Sequence, residues 1–71
     1  MAEATAIKVN GTDEPLCVST IAALLEAKDI SPQMRGLAIA RNGAVVPRAQ
    51  WPTTPLSPGD VIEIVLARQG G

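Results

Sequence analysis

Residues 19–29, STIAALLEAKD, are where the pattern of this chain changes. Ile21, Leu24 and Leu25 recur at i, i+3 and i+4, the spacing of one helix face, with alanines filling the gaps. Ser19 is the expected N-cap, its hydroxyl suited to accept from an orphan backbone N–H. Glu26 and Lys28 fall on the solvent side. The helix should close near Asp29, ahead of the breaker pair Ser31-Pro32. The segments on either side alternate with a period of two, so a lone helix sits between two sets of strands.

Upstream, TAIKVN puts Ile7 and Val9 on one face and Lys8 on the other, the signature of a strand. Asn10-Gly11 is a strong hairpin signal, since both residues tolerate positive φ. EPLCVS supplies the returning strand, and Pro15, with no N–H to give a ladder, suits an edge. Downstream, GLAIARNGAVVP is a second hairpin around Asn42-Gly43, with Leu37 and Ile39 on one face and Ala38 and Ala40 on the other. Pro52, Pro55 and Pro58 hold the next stretch extended or turning. DVIEIVLA is the last strand: Ile62, Ile64 and Leu66 point one way, Val61, Glu63 and Val65 the other. A helical crossover lets the first and last strands pair in parallel at the centre of the sheet. The expected fold is α+β, a β-grasp (ubiquitin-like) domain with a mixed five-stranded sheet and one main helix on one face. Residues 1–66 form that domain and residues 67–71 a flexible tail ending in Gly-Gly. Ile7, Val9, Ile62, Ile64 and Leu66 are the candidates for the covered face.

At 71 residues the chain holds one small domain, too thin to enclose a deep catalytic cavity. Trp51 is its only aromatic residue, so the core is aliphatic. With a net charge of −1 and scattered basic residues there is no basic stripe, which argues against a nucleic-acid partner. No apolar run approaches membrane-spanning length. The opening MAEATAIK lacks the basic and apolar regions of a signal peptide, and the single Cys17 cannot form an internal disulfide; a reducing compartment, the cytoplasm, is expected. There is no histidine, which removes the commonest general base and most metal sites. No phosphate-cradling glycine motif occurs. No catalytic residue, resident cofactor or metal is expected, and the chain is not read as an enzyme. Cys17 reads as a small apolar filler of a strand. Trp51 reads as a packing residue capping one end of the core, and also as a candidate partner contact.

The ending LARQGG has no apolar periodicity and should project from the fold. Two glycines make the thinnest possible peptide, able to thread a channel that admits little beyond backbone. A carboxylate at the end of such a tail becomes electrophilic once adenylated. A small β-grasp domain ending this way resembles the ubiquitin-like carrier proteins. Within them, VVPRAQW is the telling segment: Val46, Pro47, Arg48 and Trp51 match the V-P-R-x-x-W pattern of the ThiS family of sulfur carriers in thiazole formation. Asn42-Gly43, Leu56, Gly59-Asp60 and the Ile-rich last strand fall where that family has them. A short extension before Ile7 and the polar lead-in Arg68-Gln69 depart from it.

The resemblance implies a sulfur carrier of thiamine biosynthesis. Gly71 would bear the adenylate and then the thiocarboxylate, and Gly70 and Gly71 would thread the partner's channel. The implied partners are a ThiF-like adenylyltransferase related to ubiquitin-activating enzymes, a ThiG-like thiazole synthase, and a persulfide donor such as a cysteine desulfurase or rhodanese-type protein. ATP and magnesium would belong to the adenylating partner. Candidate docking residues are Val61, Val65, Ala38 and Ala40 on the uncovered sheet face, with the surroundings of Arg48 and Trp51 as the other candidate surface. A small subunit of molybdopterin synthase and a ubiquitin-like binding module without carrier chemistry stand as alternatives.

Overall fold

The computed structural model describes residues 5–67. Its strands are β1 (Ala6–Val9), β2 (Thr12–Pro15), β3 (Leu37–Arg41), β4 (Ala44–Val45) and β5 (Val61–Leu66), with one helix, α1 (Ile21–Ala27), and a 3-10 turn at Arg48–Gln50. The sheet order is β2-β1-β5-β3-β4. β1 and β5 run parallel, with Lys8 opposite Val61 and Val9 opposite Ile62, while β5 pairs antiparallel with β3 along five residue pairs from Leu37–Leu66 to Arg41–Ile62. The β-grasp expectation is met, and β5 is its central strand.

Both hairpins turn on Asn-Gly as expected. Asn10 and Asn42 have φ of 51° and 53°, and Gly11 and Gly43 of 83° and 86°, the left-handed pair that matches the twist of the flanking strands. β2 lies at the edge, as Pro15 suggested, but it ends at that proline. Leu16 and Val18 beyond it turn their side chains to the core, so Cys17 faces out and is exposed. Cys17, read from sequence as an apolar filler of a strand, thus lies at the surface and beyond the strand's end, because its two larger apolar neighbours take the inside.

The helix begins one residue later than expected. Thr20, extended at φ −136° and ψ 165°, is the N-cap, and its hydroxyl accepts from the Ala23 N–H at 3.1 Å. The next donors are taken from outside the helix: Ile21 N–H donates to the Thr54 carbonyl and Ala22 N–H to that of Trp51. The helix ends at Ala27, short of Asp29, in a Schellman arrangement. Asp29 sits at φ 59°, its N–H bonds the Glu26 carbonyl, and Ile30 N–H bonds that of Leu25. Lys28 is not free in solvent, since its Nζ lies 2.7 Å from the Glu14 carboxylate.

Ile21, Leu24 and Leu25 pack onto Ile7, Val9, Leu37, Ile39 and Ile62, with Leu56 and Trp51 closing the rim. Of the residues expected on the covered face, Ile7, Val9 and Ile62 are buried and Ile64 is half-buried. Leu66 is 47% exposed. It stands at the end of β5 after β1 has turned away, where a helix of seven residues no longer reaches.

Candidate functional site

Three features converge on the end of β5. The first is the bare face of the sheet. Ala38 lies opposite Val65 and Ala40 opposite Glu63, so these side chains and Val61 share the side away from α1. Val61 and Val65 are 40% and 53% exposed. Ala38 is exposed and Ala40 half-buried. The sequence reading missed Val45, which pairs with Ala40 and is 76% exposed on the same face. Its strand has only two residues, too few for alternation to assign a side. Lys8 enters the face at its other edge, opposite Val61 and paired with Asp13 at 3.2 Å.

The second feature is built by residues 46–51. Pro47 leads into the 3-10 turn, which carries Trp51 into the core, where it is 2% exposed. Its indole Nε1 donates to the Val46 carbonyl at 2.8 Å, so the buried polar atom is satisfied. Arg48 lies over the ring with its guanidinium carbon 4.7 Å from the centroid. The same guanidinium donates to three carbonyls of the segment after α1: Pro32, Met34 at 3.1 Å and Leu37 at 3.3 Å. Trp51 is therefore a core residue offering a partner almost no surface, whereas Arg48 is exposed and organises a loop.

The third is that loop's last residue, Gly36, whose carbonyl accepts from the Ala67 N–H at 2.8 Å. Ala67, assigned from sequence to the tail, is thus still tied to the sheet. Gly70 and Gly71 lie outside the described residues.

The opposite end of β5 is anchored by Asp60, which is buried and accepts from Arg41 Nε at 2.8 Å, Asn42 Nδ2 at 3.0 Å and the Ser57 N–H at 2.8 Å. Burial alone would raise its carboxyl, but these donors outweigh burial and hold it below the usual carboxylate range. All its partners are structural, so it is an anchor and not an acid-base group. Among the described residues no cluster of His, Cys, Asp and Glu could hold a metal ion, and no helix is long and apolar enough to cross a membrane.

The ThiS family model matches residues 2–71. The chain belongs to the ThiS family. The sulfur carrier protein ThiS of Thermus thermophilus is 33% identical over 63 residues, 89% of this chain and 95% of its own length. The crystal structure of the thiamine biosynthesis protein ThiS from Geobacter metallireducens superposes with a TM-score of 0.76 at 26% identity, covering 93% of this chain and 99% of that one. A solution structure of a thiamine biosynthesis protein from the same organism gives 0.73 at 26% identity, covering 93% and 87%.

Cys17 is the one thiol, and its exposure bears on where sulfur could reside. Cys17→Ser is expected to shift unfolding free energy by no more than about 0.5 kcal/mol, because an exposed hydroxyl keeps its water. Urea denaturation checks this; a loss of several times that size would mean that the thiol packs in the core.

Proposed function

We propose that this ThiS-family chain is a sulfur carrier for thiazole formation in thiamine biosynthesis, acting as a cosubstrate of other enzymes. The observation that carries the reading is the match to a curated sulfur carrier along nearly the full length of both chains. The β-grasp sheet supports it by running its central strand straight toward the C-terminal segment.

In this reading the Gly71 carboxylate attacks the α-phosphorus of ATP on an adenylyltransferase, releasing pyrophosphate and leaving an acyl-adenylate. The terminal sulfur of a persulfide displaces AMP. This forms a C–S bond and an acyl disulfide; a thiol then cleaves the S–S bond that came with the persulfide, leaving sulfur on the Gly71 carbonyl and a disulfide on the donor side. The thiocarboxylate is passed to a thiazole synthase. Gly70 and Gly71 occupy a channel of the partner that admits backbone alone. Incubation with an adenylating enzyme and ATP should release pyrophosphate, and addition of a persulfide donor should release AMP and yield protein with one oxygen replaced by sulfur. Absence of pyrophosphate release with every adenylating enzyme from the chain's own cell would sink the reading.

The bare sheet face is the surface that engages the adenylyltransferase. Among the described residues nothing covers its small and β-branched apolar side chains. Val65→Asp should leave the domain folded, since the side chain touches no core residue's buried face. It should weaken binding by at least about tenfold, roughly 1.4 kcal/mol, because the new charge is buried without a partner. Titration calorimetry measures this; unchanged affinity would move the docking surface to the neighbourhood of Arg48.

A further inference from the structure

We propose that Gly36 is a positioning residue for carrier chemistry: its contact with Ala67 is a backbone seat that fixes the direction in which the C-terminal segment leaves the sheet. The inference rests on the sulfur-carrier reading and adds a residue to it.

Gly36 differs from the other described glycines. Gly11, Gly43 and Gly59 all have φ near +85°, and a Cβ on any of them would meet nothing within 4 Å. Their need for glycine is conformational only. Gly36, at φ +78°, has the same conformational need and a steric one besides. A Cβ there would stand 2.4 Å from the Ala67 carbonyl oxygen and 3.4 Å from its carbon. Those are backbone atoms, so neither can swing aside as a side chain would.

The contact also sits where β5 loses its other partners. On the β1 side, backbone pairing ends at Ile62, whose carbonyl accepts from the Asn10 N–H at 2.9 Å. The Asn10 side chain then stands in for a strand, its Oδ1 accepting from the Ile64 N–H at 2.8 Å and its Nδ2 donating to the Ile64 carbonyl at 3.2 Å. On the β3 side, the ladder reaches Leu37–Leu66 and ends with the bond from Ala67 to Gly36. Among the described residues this is the last hold on the chain. The receiving loop is itself fixed, since Arg48 ties two of its carbonyls, and that of Leu37 at the start of β3, to the Trp51 corner of the core.

Four residues separate Ala67 from the Gly71 carboxyl, a span of at most about 14 Å. Over so short a lever, a displaced root misplaces the reacting carbon, and an error of about 1 Å can cost two orders of magnitude in rate. A seat of this kind acts on delivery, not on docking, because the bare face of the sheet does not include it.

The test compares Gly36→Ala with Ala67→Pro, which removes the donating N–H, and with Gly59→Ala, which imposes the same φ strain at the far end of β5. Each is melted and then assayed for AMP release with ATP, a persulfide donor and an adenylating enzyme that accepts the unaltered chain. Gly36→Ala and Ala67→Pro should lower kcat at least about tenfold with KM within about threefold. Gly59→Ala should lose melting temperature with kcat unchanged. Wild-type kcat in folded Gly36→Ala overturns the seat, as does a fall in Gly59→Ala equal to that in Gly36→Ala. Should Gly36→Ala fail to fold, Ala67→Pro alone decides by the same criterion. Failure of the unaltered chain to be adenylated at all is a different result, and refutes the sulfur-carrier reading instead.

Discussion

Deleting Gly71, or adding a single residue after it, should abolish pyrophosphate release from ATP while leaving the melting temperature where it was. The reacting group in the proposed chemistry is a free carboxylate. Extension turns it into an amide, whose carbon presents no oxygen anion to attack ATP. Deletion leaves a carboxylate on Gly70, one residue short, and the lever from Ala67 then falls about 3.5 Å from the point of reaction. That distance is larger than the tolerance of a near-attack geometry, so the loss should exceed about two orders of magnitude. Stability should not change, because among the described residues the buried apolar core lies between Ile7 and Ile62. Pyrophosphate release read beside a thermal melt separates the two effects. A C-terminally extended protein that gained sulfur on Gly71 with its extension intact would defeat the mechanism.

The second large effect concerns folding. Trp51→Ala should cost about 3–5 kcal/mol, the usual range for emptying a buried aromatic site. A domain this small rarely has more than about 3–5 kcal/mol in total, so the variant should be largely unfolded at room temperature. Three losses coincide there. The ring leaves a cavity under Leu56 and α1, the Val46 carbonyl loses its indole donor, and Arg48 loses the surface it stacks on. Trp51→Phe separates the contributions, since it keeps most of the volume but orphans the Val46 carbonyl; about 1–3 kcal/mol is expected for it. Urea denaturation followed by far-ultraviolet circular dichroism measures both. A Trp51→Ala protein as stable as its parent would mean that the rim repacks without the ring.

Much of this fold can be read from local chemistry. The two Asn-Gly pairs announce two hairpins because few residues accept their φ, and Ile21, Leu24 and Leu25 announce a helix because the spacing admits no strand. What local chemistry does not carry is anything decided by a distant neighbour. Ser19 and Thr20 are equally good caps, and the choice falls to Thr20 because the Ser19 carbonyl is taken by Leu56 N–H. Leu66 continues the alternation of β5 faultlessly, yet its exposure depends on where β1 and α1 stop. Arg48 and Trp51 belong to the pattern that resembles ThiS, but their division of labour, one a loop organiser and the other a core residue, emerges only in three dimensions. Gly36 carries no motif at all. Its requirement for glycine is imposed by Ala67, 31 positions away, and no window along the chain contains both.

The same holds for the turn asparagines, whose positive φ is legible while the use of their amides is not. Asn42 accepts from the Val61 N–H at 2.8 Å, and Asn10 engages Ile64 with both amide atoms. β5 is thereby gripped on both flanks from its first residue to Ile64. This has a mechanical consequence. A partner that draws on the C-terminal segment pulls β5 along its own axis, and hydrogen bonds set across that axis are loaded together in shear instead of being unzipped singly. Tension applied beyond Ala67 is therefore expected to move the domain as a rigid body toward the partner before β5 unravels.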